Sequence, residues 1–242
     1  MSCQEFTAAH LPDRETHVFV TEQGTSAGGE RGDTYRLRSL DGEPVAGQRI
    51  KVTRADTPNE PYNTCVAAEN GVGPELLDAW TNVDKNGKRH TFMVMDDYTY
   101  TDGPMPISTL DEFITMDHNN DEWRELDSAL VTLYTLLDAA PICHLDLHKH
   151  NIVLRRNRGT LEAKAIDWEQ ATVGQSCVSD AFTFLLKNDV PQRVLEKLPH
   201  LTHMHRKQVA RMTPRKPHHK RTFSSEQEGH SPQGRVPRTL AF

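Results

Sequence analysis

Cysteine is scarce and scattered. The 242-residue chain has four, at positions 3, 65, 143 and 177, with no CxxC pair among them. That spacing argues against a zinc ribbon and a disulfide-framed mini-protein, and it predicts reduced thiols inside a cell. Long apolar runs are also lacking, since no stretch approaches the roughly 18–20 residues of a membrane-spanning helix. Met1–Arg14 has neither a basic start nor an apolar segment, so export and membrane insertion are not expected. The expectation is an intracellular protein, cytoplasmic or nuclear. There is no internal repeat.

Charge of one sign is confined to one region. Residues 203–242 hold nine Lys or Arg against two Asp or Glu, a charge of +7, whereas residues 1–202 carry −13. Large aliphatics nearly vanish in that C-terminal stretch while Pro, His, Ser and Gln accumulate, a composition that predicts a disordered basic tail. Such a tail can neutralise phosphates of nucleic acid or meet an acidic protein partner. Without regular aromatic interleaving it predicts no base-specific recognition.

The body has the pattern of an α+β protein, strands first and helices later. Val18–Val20, Thr34–Arg38 and Gln48–Thr53 read as strands of one antiparallel sheet, with a Gly/Ser-rich stretch from Gly24 to Gly32 after the first and a hairpin turn at Asp41-Gly42. Thr57 or Asn59 is placed to cap a helix running to about Asn70, with Pro61 in its first turn and Gly71 ending it. Phe92–Met95 reads as a buried strand. Trp123, Leu126, Leu130, Leu133 and Leu137 fall on one helical stripe that ends before Pro141. A further helix is expected over Ser179–Leu198.

The densest chemistry lies at His144-Leu145-Asp146-Leu147-His148-Lys149-His150-Asn151-Ile152, followed by Ile166-Asp167-Trp168-Glu169. One reading makes His144, His148 and His150 metal ligands, since His at i and i+4 is a zinc spacing on a helix. Pro141 and the β-branched Ile152 and Val153 oppose a helix there. The other reading is implied by a resemblance to phosphoryl-transfer enzymes, whose chemistry needs a carboxylate to orient a hydroxyl and take its proton, and oxygen ligands to hold Mg²⁺. Five residues from Asp146 to Asn151 make a compact loop, and a strand pair returns the chain to Asp167.

These residues resemble the catalytic loop and metal motif of the protein kinase-like superfamily, in the H-x-D-L-H-x-x-N-I and I-D-W-E form familiar in aminoglycoside and choline phosphotransferases and in divergent viral protein kinases. The resemblance covers about residues 17–190. It implies a two-lobed fold, with an N-terminal extension at 1–16, an antiparallel N-lobe sheet at 17–97, a shortened, mainly helical C-lobe at 98–202 and the tail at 203–242. It also implies ATP and Mg²⁺ as cofactors, Asp146 as catalytic base, His148 where protein kinases carry Lys, and Asn151 and Asp167 as metal ligands. Ala27-Gly28-Gly29-Glu30-Arg31-Gly32 resembles the Gly-rich phosphate loop, with Ala27 in place of the first Gly. Lys51 takes the strand-lysine position, with Glu60 preferred over Glu69 as its acidic partner. Met95, Asp96 and Asp97 correspond to the hinge that meets adenine.

The expected function is therefore a divergent serine/threonine protein kinase with a protein substrate. Asp146-Leu147-His148 and Asp167-Trp168-Glu169 also suit a small-molecule kinase of the aminoglycoside or choline type, and His148, Ala27 and the short C-lobe suit a catalytically weak scaffold. The chain departs from protein kinases in lacking the Gly of D-F-G and an A-P-E sequence. Asp180 is the residue expected to anchor a central helix.

Overall fold

A four-stranded antiparallel sheet carries the first half of the chain. In the computed structural model, which describes residues 2–14, 32–38, 44–54, 57, 59–98 and 109–212, β1 (Gly32–Arg38) pairs with β2 (Pro44–Arg54). After the helix α1 (Glu60–Glu69) come β3 (Leu76–Val83) and β4 (Arg89–Asp96), giving the order β1-β2-β4-β3. Strand alternation sends Ile50, Val94 and Trp80 to one face, where Trp80 stacks on Phe92 at 5.4 Å. Met93 and Ala79 turn into the main core. Lys51 is paired in register with Met93, one residue along from Ile50, so its side chain leaves the sheet on the opposite face from that of Ile50. The expected strand at Val18–Val20 and the turn at Asp41-Gly42 lie outside the described residues.

Helix α1 is enclosed rather than amphipathic, with seven of its ten residues buried. Pro61 sits in its first turn, and Gly71 at φ 71 lets the chain leave in a left-handed conformation. Farther on, α2 (Leu110–Thr115) precedes α3 (Asn120–Ala139), which opens with an Asn119/Glu122 capping box. The stripe Leu126, Leu130, Leu133 and Leu137 is buried, as its spacing predicts. Then come β5 (Ile142–Cys143), the hairpin of β6 (Ile152–Asn157) and β7 (Thr160–Ala165), and β8 (Thr172–Val173), which pairs with β5.

Three expectations are corrected in the C-terminal part. The helix expected over 179–198 is broken: α4 (Val178–Phe184) widens into a π-turn at Leu185–Asp189, and Pro191 separates it from the short α5 (Gln192–Leu195). The tail does not begin at 203, because α6 runs from Pro199 to Met212. Its polar composition hid it. Leu201 is fully buried, and Asp127 of α3 accepts the backbone N–H groups of His200 at 3.0 Å and Leu201 at 2.9 Å, closing the helix start from outside. Residues 213–242 lie outside the described residues. Asp180 is exposed and anchors no central helix; the buried acid of this region is Asp127.

The cysteines are not free thiols. Cys3 bridges to Cys65, with Cα atoms 5.5 Å apart, and Cys143 to Cys177, at 5.0 Å. The partners are separated by 62 and 34 residues, so only the folded chain brings them together. The described residues belong to one compact unit, Met1–Met212, of mixed α+β architecture. Among them no helix is long and apolar enough to cross a membrane.

Candidate functional site

The Cys143–Cys177 bridge and the β5–β8 pair clamp the two ends of the segment that carries the clustered polar residues. Directly after β5 the backbone makes a three-residue turn: Leu145 adopts φ 54, and Asp146 N–H donates to His144 O at 2.6 Å. The turn pushes Leu145 outward to 58% exposure and leaves Asp146 half-buried. Gln170 Nε2 donates to Asp146 Oδ2 at 3.2 Å. His148 Nε2 stands 4.0 Å from the same oxygen, beyond hydrogen-bond reach.

Asn151 binds the loop from behind. It is buried, and its Nδ2 donates to Asp146 O at 3.1 Å, which leaves the amide oxygen as an acceptor. Ile166 N–H donates to Asn151 O at 2.9 Å, setting the residue before Asp167 beside the loop. His144 donates from Nε2 to Ile166 O at 2.8 Å and lies against Trp168 at 4.4 Å. Burial pushes its pKa down, so the imidazole is neutral. Its role is to tie the two loops together.

Asp167 holds a left-handed conformation, φ 66 and ψ 64, between β7 and the short turn Trp168–Gln170. Its Oδ1 accepts from Lys51 Nζ at 2.7 Å, and Lys51 also donates to Glu60 Oε1 at 2.5 Å. A sheet lysine, a helix glutamate and a late-loop aspartate thus meet across 116 residues of chain. Burial works to lower the Lys51 pKa, but the two carboxylates outweigh it and hold it above its ordinary value. Burial raises Glu60 to about 7, opposed by Lys51 and reinforced by Asp167 and Glu169. Glu69 is exposed at the far end of α1 and takes no part.

The remaining candidates divide. Ala27, Gly28 and Gly29 lie outside the described residues, and Gly32 opens β1 opposite Thr53. Met95 packs partly buried against the main core. Asp96 Oδ2 accepts from Arg155 Nη1 at 2.8 Å, and the buried Asp97 accepts from Arg49 Nε at 2.8 Å. A cavity of about 460 Å³ borders Asp96, Tyr98, Arg155 and Lys164 but is lined by none of Lys51, Asp146, Asn151 or Asp167. His148 and His150 stand edge to face at 5.6 Å, and among the described residues neither joins His144 in a metal-ligand grouping. Lys149, the nearest cation in sequence, is engaged by Asp111 at 2.8 Å.

Sequence reasoning missed three contributors. Gln170 reaches Asp146 only because of the turn at Leu145. Asn63 of α1 donates to Trp168 O at 3.1 Å and Ala171 O at 3.0 Å, fixing the Asp167 turn to the helix that carries Glu60. Glu169 brings a carboxylate oxygen into a set with Glu60 and Asp167 in which all three oxygens lie within 4.8 Å of one another. Glu169 closes the I-D-W-E run and Gln170 follows it, but the linear order does not reveal what either of them or Asn63 touches. No protein-family model matches the chain, and no curated protein matches it.

Proposed function

We propose that the chain is an ATP- and Mg²⁺-dependent phosphotransferase of protein kinase-like, two-lobed architecture that acts on a protein hydroxyl. The observation that carries this reading is the Lys51 ammonium held between Glu60 and Asp167, with Asp146 and Asn151 on the loop bonded to the residue before Asp167. Lys51 would bind the α- and β-phosphates. Asn151 and Asp167 fit a hard cation, because both offer oxygen and the Asn151 nitrogen is already engaged. Mg²⁺ held there would neutralise charge on the phosphates. Asp146 would accept the proton of the attacking hydroxyl as the bond to the γ-phosphorus forms and ADP leaves. Gln170 orients that carboxylate, and His148 would supply a hydrogen bond, with a charge once protonated.

The test is transfer from γ-labelled ATP in Mg²⁺ to generic proteins, and separately to amino alcohols and aminoglycosides. Label on protein, reduced by a factor of about 10²–10⁴ in Asp146→Ala and abolished in Lys51→Ala and Asp167→Ala, is the expected result. Full turnover in either of the last two overturns the assignment. Label on small molecules alone selects the aminoglycoside or choline type instead. Absence of label together with no thermal shift on MgATP addition selects a scaffold.

A further inference from the structure

Phosphate transfer does not account for the second oxygen of Glu60. Oε1 takes the Lys51 ammonium, whereas Oε2 is buried without a hydrogen-bond partner on a residue 1% exposed. A carboxylate oxygen in a dry interior needs a donor or a cation. Glu60 is also not alone, since one oxygen each from Glu60, Asp167 and Glu169 falls within 4.8 Å of the other two.

The arrangement is built rather than incidental. Glu60 opens α1, and Asn63, one turn along the same helix, grips the turn carrying Glu169 through the Trp168 and Ala171 carbonyls. Trp168 is buried, and its Nε1 donates to Ala165 O at 3.0 Å. Gly73 makes room for it: a Cβ there would lie 3.1 Å from Trp168 Nε1 and 3.0 Å from Ala67 Cβ. Helix and turn are therefore locked together, and the two glutamates keep their separation. Oxygens on opposite sides of one Mg²⁺, Mn²⁺ or Ca²⁺ ion stand about 4–5 Å apart, given bond lengths of about 2.0–2.6 Å, so the spacing suits one hard cation completed by water.

We propose that Glu60, Asp167 and Glu169 form a divalent-cation site, of the Mg²⁺ and Mn²⁺ class, that fills in the absence of nucleotide. It shares Glu60 and Asp167 with the phosphate-transfer reading but does not need that reading to hold. The ion satisfies Glu60 Oε2, the buried oxygen that no donor reaches.

The test is titration of the full-length, nucleotide-free protein with Mn²⁺ alone, followed by loss of the free-ion electron paramagnetic resonance signal. One bound ion per chain is expected, with affinity at least tenfold weaker in Glu169→Gln. Glu169 is partly exposed, and a circular dichroism melt checks that its variant is folded. Wild type that leaves the free-ion signal intact, or a folded Glu169→Gln that binds as tightly as wild type, overturns the site. A chain that binds one Mn²⁺ but transfers no phosphate loses the function proposed above and keeps the site. One that transfers phosphate but binds no Mn²⁺ without nucleotide does the reverse.

Discussion

Glu60 and His144 are buried titratable groups whose pKa values burial moves in opposite directions, and their effects on stability oppose each other. Glu60 rises from 4.5 to about 7 in the folded chain, so between those values the native state binds more protons than the unfolded one. Its contribution is therefore most favourable below pH 4.5 and declines as pH climbs to about 7, after which the penalty is constant. His144 is lowered from 6.5, so it favours the fold above that value and costs stability as pH falls through and below it. Subtracting the pH–stability curve of Glu60→Gln from that of wild type, in chelator-treated buffer, isolates the first effect. Urea midpoints should show wild type losing ground to the variant from about pH 5 to pH 7; parallel curves would contradict the burial of an ionising Glu60. Asp146, Asn151 and Asp167 could be named from sequence because each sits in a motif of fixed spacing, whereas Lys51 came only from its position in the kinase-like resemblance and Glu60 was one of two glutamates that resemblance allowed. Glu169 and Gln170 could be seen, but not assigned, because their partners depend on the left-handed backbone at Asp167 and Leu145.

Among the elements, local signals were legible and long-range ones were not. The ends of α1 and the stripe of α3 follow from Pro61, Gly71 and a 3.6-residue period, all of which act within a turn or two of chain. Strand β3 escaped because a register shift between Leu76 and Asp78 breaks its alternation. Helix α6 escaped because Asp127, 73 residues away, closes its first turn, and no composition profile records that. The disulfides are the extreme case, since pairing depends wholly on tertiary structure. Cross-linking across 34 residues removes unfolded-state entropy worth about 4 kcal/mol by chain-closure arithmetic. Cys143→Ser is accordingly expected to lower urea-unfolding stability by about that amount, and wild type in excess dithiol, which also opens the Cys3–Cys65 bridge, should fall further. A variant as stable as wild type would mean that the bridge does not form.

For the molecule as a whole, the order of strands and helices was enough to give an α+β chain with an antiparallel sheet, because that order is a property of the linear pattern. The meeting of Lys51 with Asp167 was foreseen only through the kinase-like resemblance; composition and periodicity say nothing about segments 116 residues apart. The Cys143–Cys177 bridge also sets how a cut molecule comes apart. Arg158 and Gly159 form the exposed turn of the β6–β7 hairpin, inside the span closed by Cys143 and Cys177. Trypsin cutting after Arg158 should yield two polypeptides that migrate as one species without reductant and separate once thiol is added. The nicked protein would then be a covalent heterodimer, with Asp146 and Asn151 on one piece and Asp167 and Glu169 on the other, so its halves could be isotopically labelled or exchanged independently through a single sulfur–sulfur bond.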